Sequence, residues 1–253
     1  IEREKKKHPI LNEQRQGIQY TVIDGPLQAL NIIYPHEDLN NNPVNIEKYL
    51  YGKNGLKRVM HYSQNTKKNF EYVNDIENKF GRIFSSAGKQ DSPLYKYSSK
   101  IYSIIKDILN NEGITLIYSN YIDGGCVPVA LALEEIGITR YGSRDKSLFK
   151  KAPVKSMKIN KKHSAKYIMI TGDKLLSPNN KLELKACTHP ENINGEKVKV
   201  IIISKAGSEG LDFKNIRQVH ILEPWFNINR MDQIIGRAVR NKSHCSLPYN
   251  KRN

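Results

Sequence analysis

Two stretches of the 253-residue chain carry residue types and spacings suited to phosphate chemistry. The first, KAGSEGLD at 205–212, follows an apolar run that ends at Ser204. Gly207 and Gly210 allow a sharp turn and close approach of the backbone to a ligand. Exposed amides in such a turn suit phosphate oxygens. The Asp212 carboxylate can accept hydrogen bonds from a ribose hydroxyl. The second stretch, QIIGRAVR at 233–240, begins 21 residues after Asp212. On a helix, Gln233, Arg237 and Arg240 share a face, and Gly236 leaves room for close packing or a ligand. Two guanidinium groups on one rigid element can neutralise charge developing on a phosphoryl group in transfer. The plainer alternative is a glycine turn after a strand and a solvated basic helix face.

The elements that would position these groups read as an α/β sheet. Ser98 or Ser99 caps a helix carrying Ile101, Ile104, Ile105, Ile108 and Leu109 on one face, and Gly113 stops it. ITLIYS at 114–119 is a compact apolar strand. Gly124 and Gly125 precede a helix, VPVALALEEIG, that ends at Gly137. A short strand fits 138–141, and longer ones fit 167–171, 198–204 and 217–223. A helical segment reaches His189, and a last helix covers 230–240. The order β-α-β-α-β-β-α predicts an open, mainly parallel sheet with helices on both faces.

Residues 1–95 read as a linker and helical decoration preceding a core over 96–253. Residues 1–17 are charged and aperiodic, 18–34 suit a strand or docking segment, and 36–45 are Asn- and Pro-rich loop. From Ile46 to Phe84 the pattern is weakly helical, with breaks at Gly52 and Gly55. Residues 144–166 hold nine Lys or Arg against one acid, Asp145. They read as a basic insertion, either a solvated loop or a nucleic-acid contact.

The composition sets 41 Lys plus Arg against 25 Asp plus Glu, a formal charge of +16. Such a charge favours polyanions, nucleic acid or an anionic membrane surface, although a lysine-biased composition alone would also produce it. No apolar run approaches the ~18 residues of a membrane span, so the expected partner is nucleic acid and not a membrane. Cys126, Cys187 and Cys245 form no close pair and the seven histidines do not cluster, so no metal site is expected. A sparse, odd cysteine count fits a reducing compartment. His220 reads as a satisfied core histidine, and Trp225 and Phe226 as packing or hinge residues. Cys126 has no paired His to make it a nucleophile. The first residue is Ile and the last residues are polar, which reads as a piece of a longer protein.

GSEGLD (207–212) and QIIGRAVR (233–240), in this order, resemble motifs V and VI of superfamily 2 helicases. LIYSN (116–120) is similar to motif IV, and ITGD (170–173) to the phosphate-contacting turn between motifs IV and V. Four stretches resemble a group from large DNA viruses that includes poxvirus nucleoside triphosphate phosphohydrolase I and the early transcription factor ATPase subunit. They are ALNIIYP (29–35), 117–138, 207–227 and IIGRAVRNKSHCSLP (234–248).

The resemblance implies a second RecA-like domain, the C-terminal half of an ATP-driven helicase or translocase motor in viral transcription. It implies that Arg237 and Arg240 are arginine fingers facing the γ-phosphate, with Gln233 coupling nucleotide to nucleic acid. Asp212 would face the ribose, and Glu209, Gly210 and Gly236 would line the nucleotide cleft. Ser119, Asn120, Thr171, Gly172, Ser204 and Ser208 would contact the nucleic-acid backbone, which carries no sequence information. The implied cofactors are ATP and Mg2+. The implied partners are nucleic acid (DNA ahead of RNA), the protein's own N-terminal RecA-like domain and viral transcription machinery, with the virion and host cytoplasm as location. The chain departs from a whole motor: it has no G-x-x-x-x-G-K-[ST] loop and no Asp-Glu pair in helicase context. Those belong to the first domain, so this piece alone is expected to be inactive. The alternatives are a non-enzymatic basic nucleic-acid-binding module on the same sheet and, within the motor class, a cellular chromatin-remodelling translocase.

Overall fold

The computed structural model describes residues 23–40, 46–142, 147–151, 158–159, 163–178, 180–205, 207, 210–223, 228–240 and 243–252. In chain order the strands are β1 (Met60–Ser63), β2 (Lys68–Tyr72), β3 (Ile114–Ser119), β4 (Thr139–Arg140), β5 (Lys158–Ile159), β6 (His163–Ser164), β7 (Lys166–Ile170), β8 (Val200–Ser204) and β9 (Ile216–Ile221). The helices are α1 (Gly52–Val59), α2 (Asn74–Phe80), α3 (Pro93–Tyr97), α4 (Ser99–Asn110), α5 (Val127–Glu135), α6 (Asn180–Cys187) and α7 (Ile228–Ala238).

Five strands form one sheet in the order β4–β7–β8–β3–β9, with every neighbouring pair parallel. β3 and β8 are buried along their whole length, as strands covered on both faces must be. Alternate residues feed two cores. Ile117, Val200, Ile202, Tyr167 and Met169 pack with α4 and α5, while Leu116, Tyr118, Ile168, Ile170, Ile201 and Ile203 pack with α6 and α7. This is the expected α/β arrangement of RecA-like type, with helices on both faces. Ser98 caps α4, its hydroxyl accepting from the Ile101 amide at 3.0 Å. Gly113 turns at φ +84, where a Cβ would lie 2.3 Å from Arg217 Cγ. Among the described residues no helix is long and apolar enough to cross a membrane.

The segment before α4 differs from the expected pattern of weak helix. Within 46–84 β1 and β2 form an antiparallel hairpin, and in 18–34, expected as a strand or docking segment, residues 23–29 are helical and lead into Ile32 and Tyr34. Helix α1 begins at Gly52 and runs through Gly55 unbroken, and a Cβ at Gly55 would lie 2.4 Å from the Tyr34 ring. That glycine is needed for packing. Ile32, Tyr34, Leu56, Val59, Phe70, Tyr72, Phe84 and Leu94 are buried in the same core as α4 and α5.

The basic insertion is anchored at its base. Leu148 and Phe149 are buried, and Phe149 bridges Phe70 of β2. The fully buried Glu134 of α5 accepts hydrogen bonds from Ser147 Oγ (2.5 Å), Leu148 N (2.9 Å), Phe149 N (3.2 Å) and Tyr167 OH (2.7 Å). Later in the insertion β5 and β6 pair as a short antiparallel ribbon, and residues 143–146, 152–157 and 160–162 lie outside the described residues.

Candidate functional site

After β3 the chain crosses to one side of the sheet to build β4, and after β8 it crosses to the other side to build β9. In open parallel sheets such a reversal opens a crevice at the carboxyl ends of the strands. Here the reversal lies at β8 and β3, where Ser204 and Ser119 are register partners. The rim continues to Thr171 after β7 and Glu223 after β9.

Glu223 holds the β3 end of this rim. Its buried carboxylate accepts from Ser119 Oγ at 2.6 Å, from Asn120 N at 2.7 Å and from the Asn31 side-chain amide. Lys100 Nζ donates to Asn31 Oδ1 at 3.0 Å and to Leu222 O at 2.7 Å. Burial pushes the Glu223 carboxyl above its usual range, and these hydrogen bonds and the Lys100 charge partly offset it. Gly125 is required here, since a Cβ would lie 2.0 Å from Ser119 Oγ. Beneath the same rim the buried Cys126 thiol is pushed well above its ordinary value by desolvation, so it stays protonated.

Three of the serine and threonine candidates on the rim turn inward. The Ser119 side chain is fully buried against Glu223, and Thr171 Oγ1 lies 2.9 Å from Ser177 Oγ. Ser204 Oγ accepts from Gly207 N at 3.3 Å. Asn120 and Gly172 reach the surface. Beside Thr171 and Gly172 lies an open cleft of about 380 Å³, whose lining includes Lys174, Asn180, Lys181 and Gly207.

The loop after β8 packs flush on the end of β7. A Cβ on Gly207 would lie 2.1 Å from Ile170 O and 2.9 Å from Thr171 Cα, both immovable backbone. Gly207→Ala is therefore expected to force the loop off the rim and destabilise the fold by about 1–3 kcal/mol, the usual cost of overpacking. An unchanged urea midpoint would contradict this contact. Ser208 and Glu209 lie outside the described residues, as do Trp225 and Phe226.

Helix α7 buries Ile234 and Ala238 against the sheet and leaves Gln233 exposed and Arg237 partly so. It ends at Ala238, so Arg240 is not on its face, contrary to the helical reading of 230–240. The physical reason is a cap: Ser243 Oγ donates to Ala238 O at 3.3 Å, and Ser243 N donates to Arg240 O at 3.0 Å. Both arginines nonetheless close on the turn that carries Asp212. Arg240 Nη1 lies 2.6 Å from Asp212 Oδ1, and Arg237 Nη1 donates to Leu211 O at 3.4 Å. Arg240 and Asp212 are 56% and 62% exposed, so their ion pair stabilises little and exchanges readily for another partner. Cβ atoms placed on Gly210 and Gly236 would meet nothing within 4 Å, leaving the backbone open to a ligand.

His220 departs from its expected satisfied state. Burial lowers its pKa, and its Nε2 is buried without a hydrogen-bond partner among the described residues. Among the described residues no three His, Cys, Asp or Glu side chains gather to hold a metal. Sequence reasoning missed Glu223, Asn31, Lys100 and Lys67. Only Glu223 carried a signal, as an acid closing an otherwise apolar strand.

Comparison with known proteins agrees with this geometry. The helicase conserved C-terminal domain matches residues 100–242. The termination factor NPH-I homolog of African swine fever virus is 33% identical over 171 residues, 60% of this chain and 24% of that protein. Two Acanthamoeba polyphaga mimivirus proteins, named for ATP-dependent RNA helicase activity, are each 30% identical. One match spans 214 residues, 82% of this chain and 40% of that relative, and the other spans 235 residues, 85% of this chain and 26% of that relative. The chain thus spans between a quarter and two fifths of the length of these relatives. With the domain match covering more than half of its length, the chain belongs to the helicase conserved C-terminal domain family.

Proposed function

We propose that this chain is the second motor domain of an ATP-dependent nucleic-acid helicase or translocase, with Arg237 and Arg240 as its arginine fingers. The observation that carries the reading is the convergence of both arginines on the turn bearing Asp212, next to the crevice at the carboxyl ends of the strands. The residues present fit half of a nucleotide site: two guanidinium groups, one carboxylate, and open backbone at Gly210 and Gly236. Mg2+-ATP, held mainly by a preceding RecA-like domain, supplies the γ-phosphoryl group. Arg237 neutralises charge on its oxygens as the bond to the leaving group breaks. Arg240 exchanges Asp212 for phosphate, which frees Asp212 to accept hydrogen bonds from the ribose. Gln233, exposed on the same helix, couples the nucleotide to nucleic acid, and Glu209 lines the cleft.

At the crevice, Asn120, Gly172 and Ser208 contact the nucleic-acid backbone, while Ser119, Thr171 and Ser204 hold the loops that present Asn120 and Gly172. The African swine fever virus relative is named a termination factor, which supports a role in viral transcription; the virion and host cytoplasm are the location proposed with it. The mimivirus names bring RNA level with DNA as the polyanion. The test is ATP hydrolysis by the full-length protein with single- and double-stranded DNA and RNA. Stimulation by at least one of the four is expected. Tight, steeply salt-dependent binding with no ATP turnover would replace this reading with the non-enzymatic module.

A further inference from the structure

Lys67 sits in the turn of the β1–β2 hairpin, in left-handed backbone at φ +47, with its amide donating to Ser63 O at 2.8 Å. The turn aims its side chain across the rim. Its Nζ lies 2.5 Å from Asp173 Oδ2 and 3.7 Å from Asp123 Oδ1. All three side chains are less than a fifth exposed. Asp123 belongs to the turn after β3, and Asp173 to the turn after β7. These are the loops that carry Asn120 and Gly172. Asp173 is itself fixed, since its Oδ1 accepts from Leu175 N at 2.9 Å. Burial would raise its pKa, but the Lys67 ammonium and the Leu175 and Leu176 amides hold it below the usual value.

The hairpin is braced from behind. Tyr62 and Phe70 stack at 4.4 Å, Phe70 N donates to Leu148 O at 2.9 Å, and Lys150 N donates to Phe70 O at 3.1 Å. A continuous path of contacts therefore runs from Glu134, through the base of the basic insertion and the hairpin, to both rim loops. One ammonium between two carboxylates leaves a net negative group, which is a poor phosphate ligand but an effective tie.

We propose that Lys67 is a positioning residue that holds the loops after β3 and β7 at the spacing needed to receive a nucleic-acid backbone. This rests on the motor reading above. The test compares Lys67→Met and Lys67→Arg in the full-length protein. In Lys67→Met the nucleic-acid concentration giving half-maximal stimulation of ATP hydrolysis rises about five- to ten-fold, while turnover at saturation is retained. Lys67→Arg recovers most of the loss. The slope of log binding constant against log salt stays at the wild-type value, because no phosphate contact is removed. A slope smaller by about 0.9 would mean that Lys67 touches phosphate directly, and would overturn the proposal. So would a half-stimulating concentration unchanged in Lys67→Met. Should that variant fail to fold, Asp123→Asn releases only the longer contact and must shift the same parameter in the same direction, and no shift rejects the tie. A wild-type protein stimulated by no nucleic acid rejects the motor reading and the tie together. A stimulated wild type with an indifferent Lys67→Met rejects the tie alone.

Discussion

Replacing Arg237 with alanine in the full-length protein is expected to lower the turnover number for ATP hydrolysis by about 10³-fold or more, the usual worth of an arginine finger. The fold should tolerate the change. Among the described residues the side chain makes one long hydrogen bond, to Leu211 O at 3.4 Å, whereas the backbone bond from Phe213 N to Arg237 O at 3.3 Å survives truncation. Ile234 and Ala238, which anchor α7 to the sheet, are untouched. Nucleic-acid affinity at fixed salt should stay near the wild-type value, because the contacts proposed for the backbone lie on the rim loops. Arg240→Ala is expected to act in the same direction, with the added effect of freeing Asp212 from its 2.6 Å ion pair. Arg237→Lys separates charge from shape. A lysine keeps the positive charge but loses the planar fork, so most of the deficit should persist if two donors engage the phosphoryl oxygens. Undiminished turnover in both alanine variants would remove the finger assignment and leave the arginines as a surface feature.

The parts of the fold that were legible from sequence share one property: their signal is continuous. β3 and β8 are unbroken apolar runs because both sheet faces are covered, and such runs have few other readings. Helix α4 declares its start through Ser98 and its buried face through Ile101, Ile104, Ile105 and Ile108. The segment before it was illegible for the opposite reason. Elements of four to eight residues, such as α1, β1, β2 and α2, each bury only a few side chains, so each pattern is too short to fix the element even though the summed core is large. Local propensity could not reveal that Gly55 is a contact with Tyr34, since the partner lies 21 residues away.

The candidate site divides along the same line. The spacing of Gln233, Gly236 and Arg237 survives because it sits within one helix. Arg240 escaped the helical template because the cap that ends α7 comes from Ser243, beyond the motif. The burial of the carboxylates was not legible. Glu134 looks like any surface acid in sequence, Glu223 shows only as an acid closing an otherwise apolar strand, and their donors are distant: Tyr167 is 33 residues from Glu134, and Asn31 is 192 from Glu223. A buried charge is recognised only by the donors that surround it, and those are assembled by tertiary structure.

Glu134 therefore offers the largest expected effect on stability. Its carboxylate is fully buried and takes four hydrogen bonds, two of them from the amides of Leu148 and Phe149. Glu134→Ala would leave those amides and the Tyr167 hydroxyl without an acceptor in the interior. With each orphaned buried donor costing about 1–3 kcal/mol, a loss on the order of 4 kcal/mol is expected. That is a large share of the ~5–15 kcal/mol that holds an ordinary domain folded. Glu134→Gln should lose less, since its one oxygen still serves Leu148 N and Tyr167 OH, but its amide then opposes the Phe149 N–H, donor against donor. The pH dependence has a definite sign. Burial, partly offset by the four hydrogen bonds, raises the Glu134 pKa above its unfolded value. The folded chain therefore binds the proton more tightly, so the stability this group contributes is fully present below the unfolded pKa. It is lost as pH rises through the folded pKa. Urea unfolding at several pH values should accordingly show a greater cost of Glu134→Ala near the ordinary carboxylate range than at pH 8, and a cost that grew with pH would reverse the assignment. Because Leu148 and Phe149 tie the basic insertion to β2, the same substitution in a protein that remains folded should also raise the half-stimulating nucleic-acid concentration, as Lys67→Met does. A stability loss without that second effect would confine Glu134 to holding the insertion and break the proposed path to the rim.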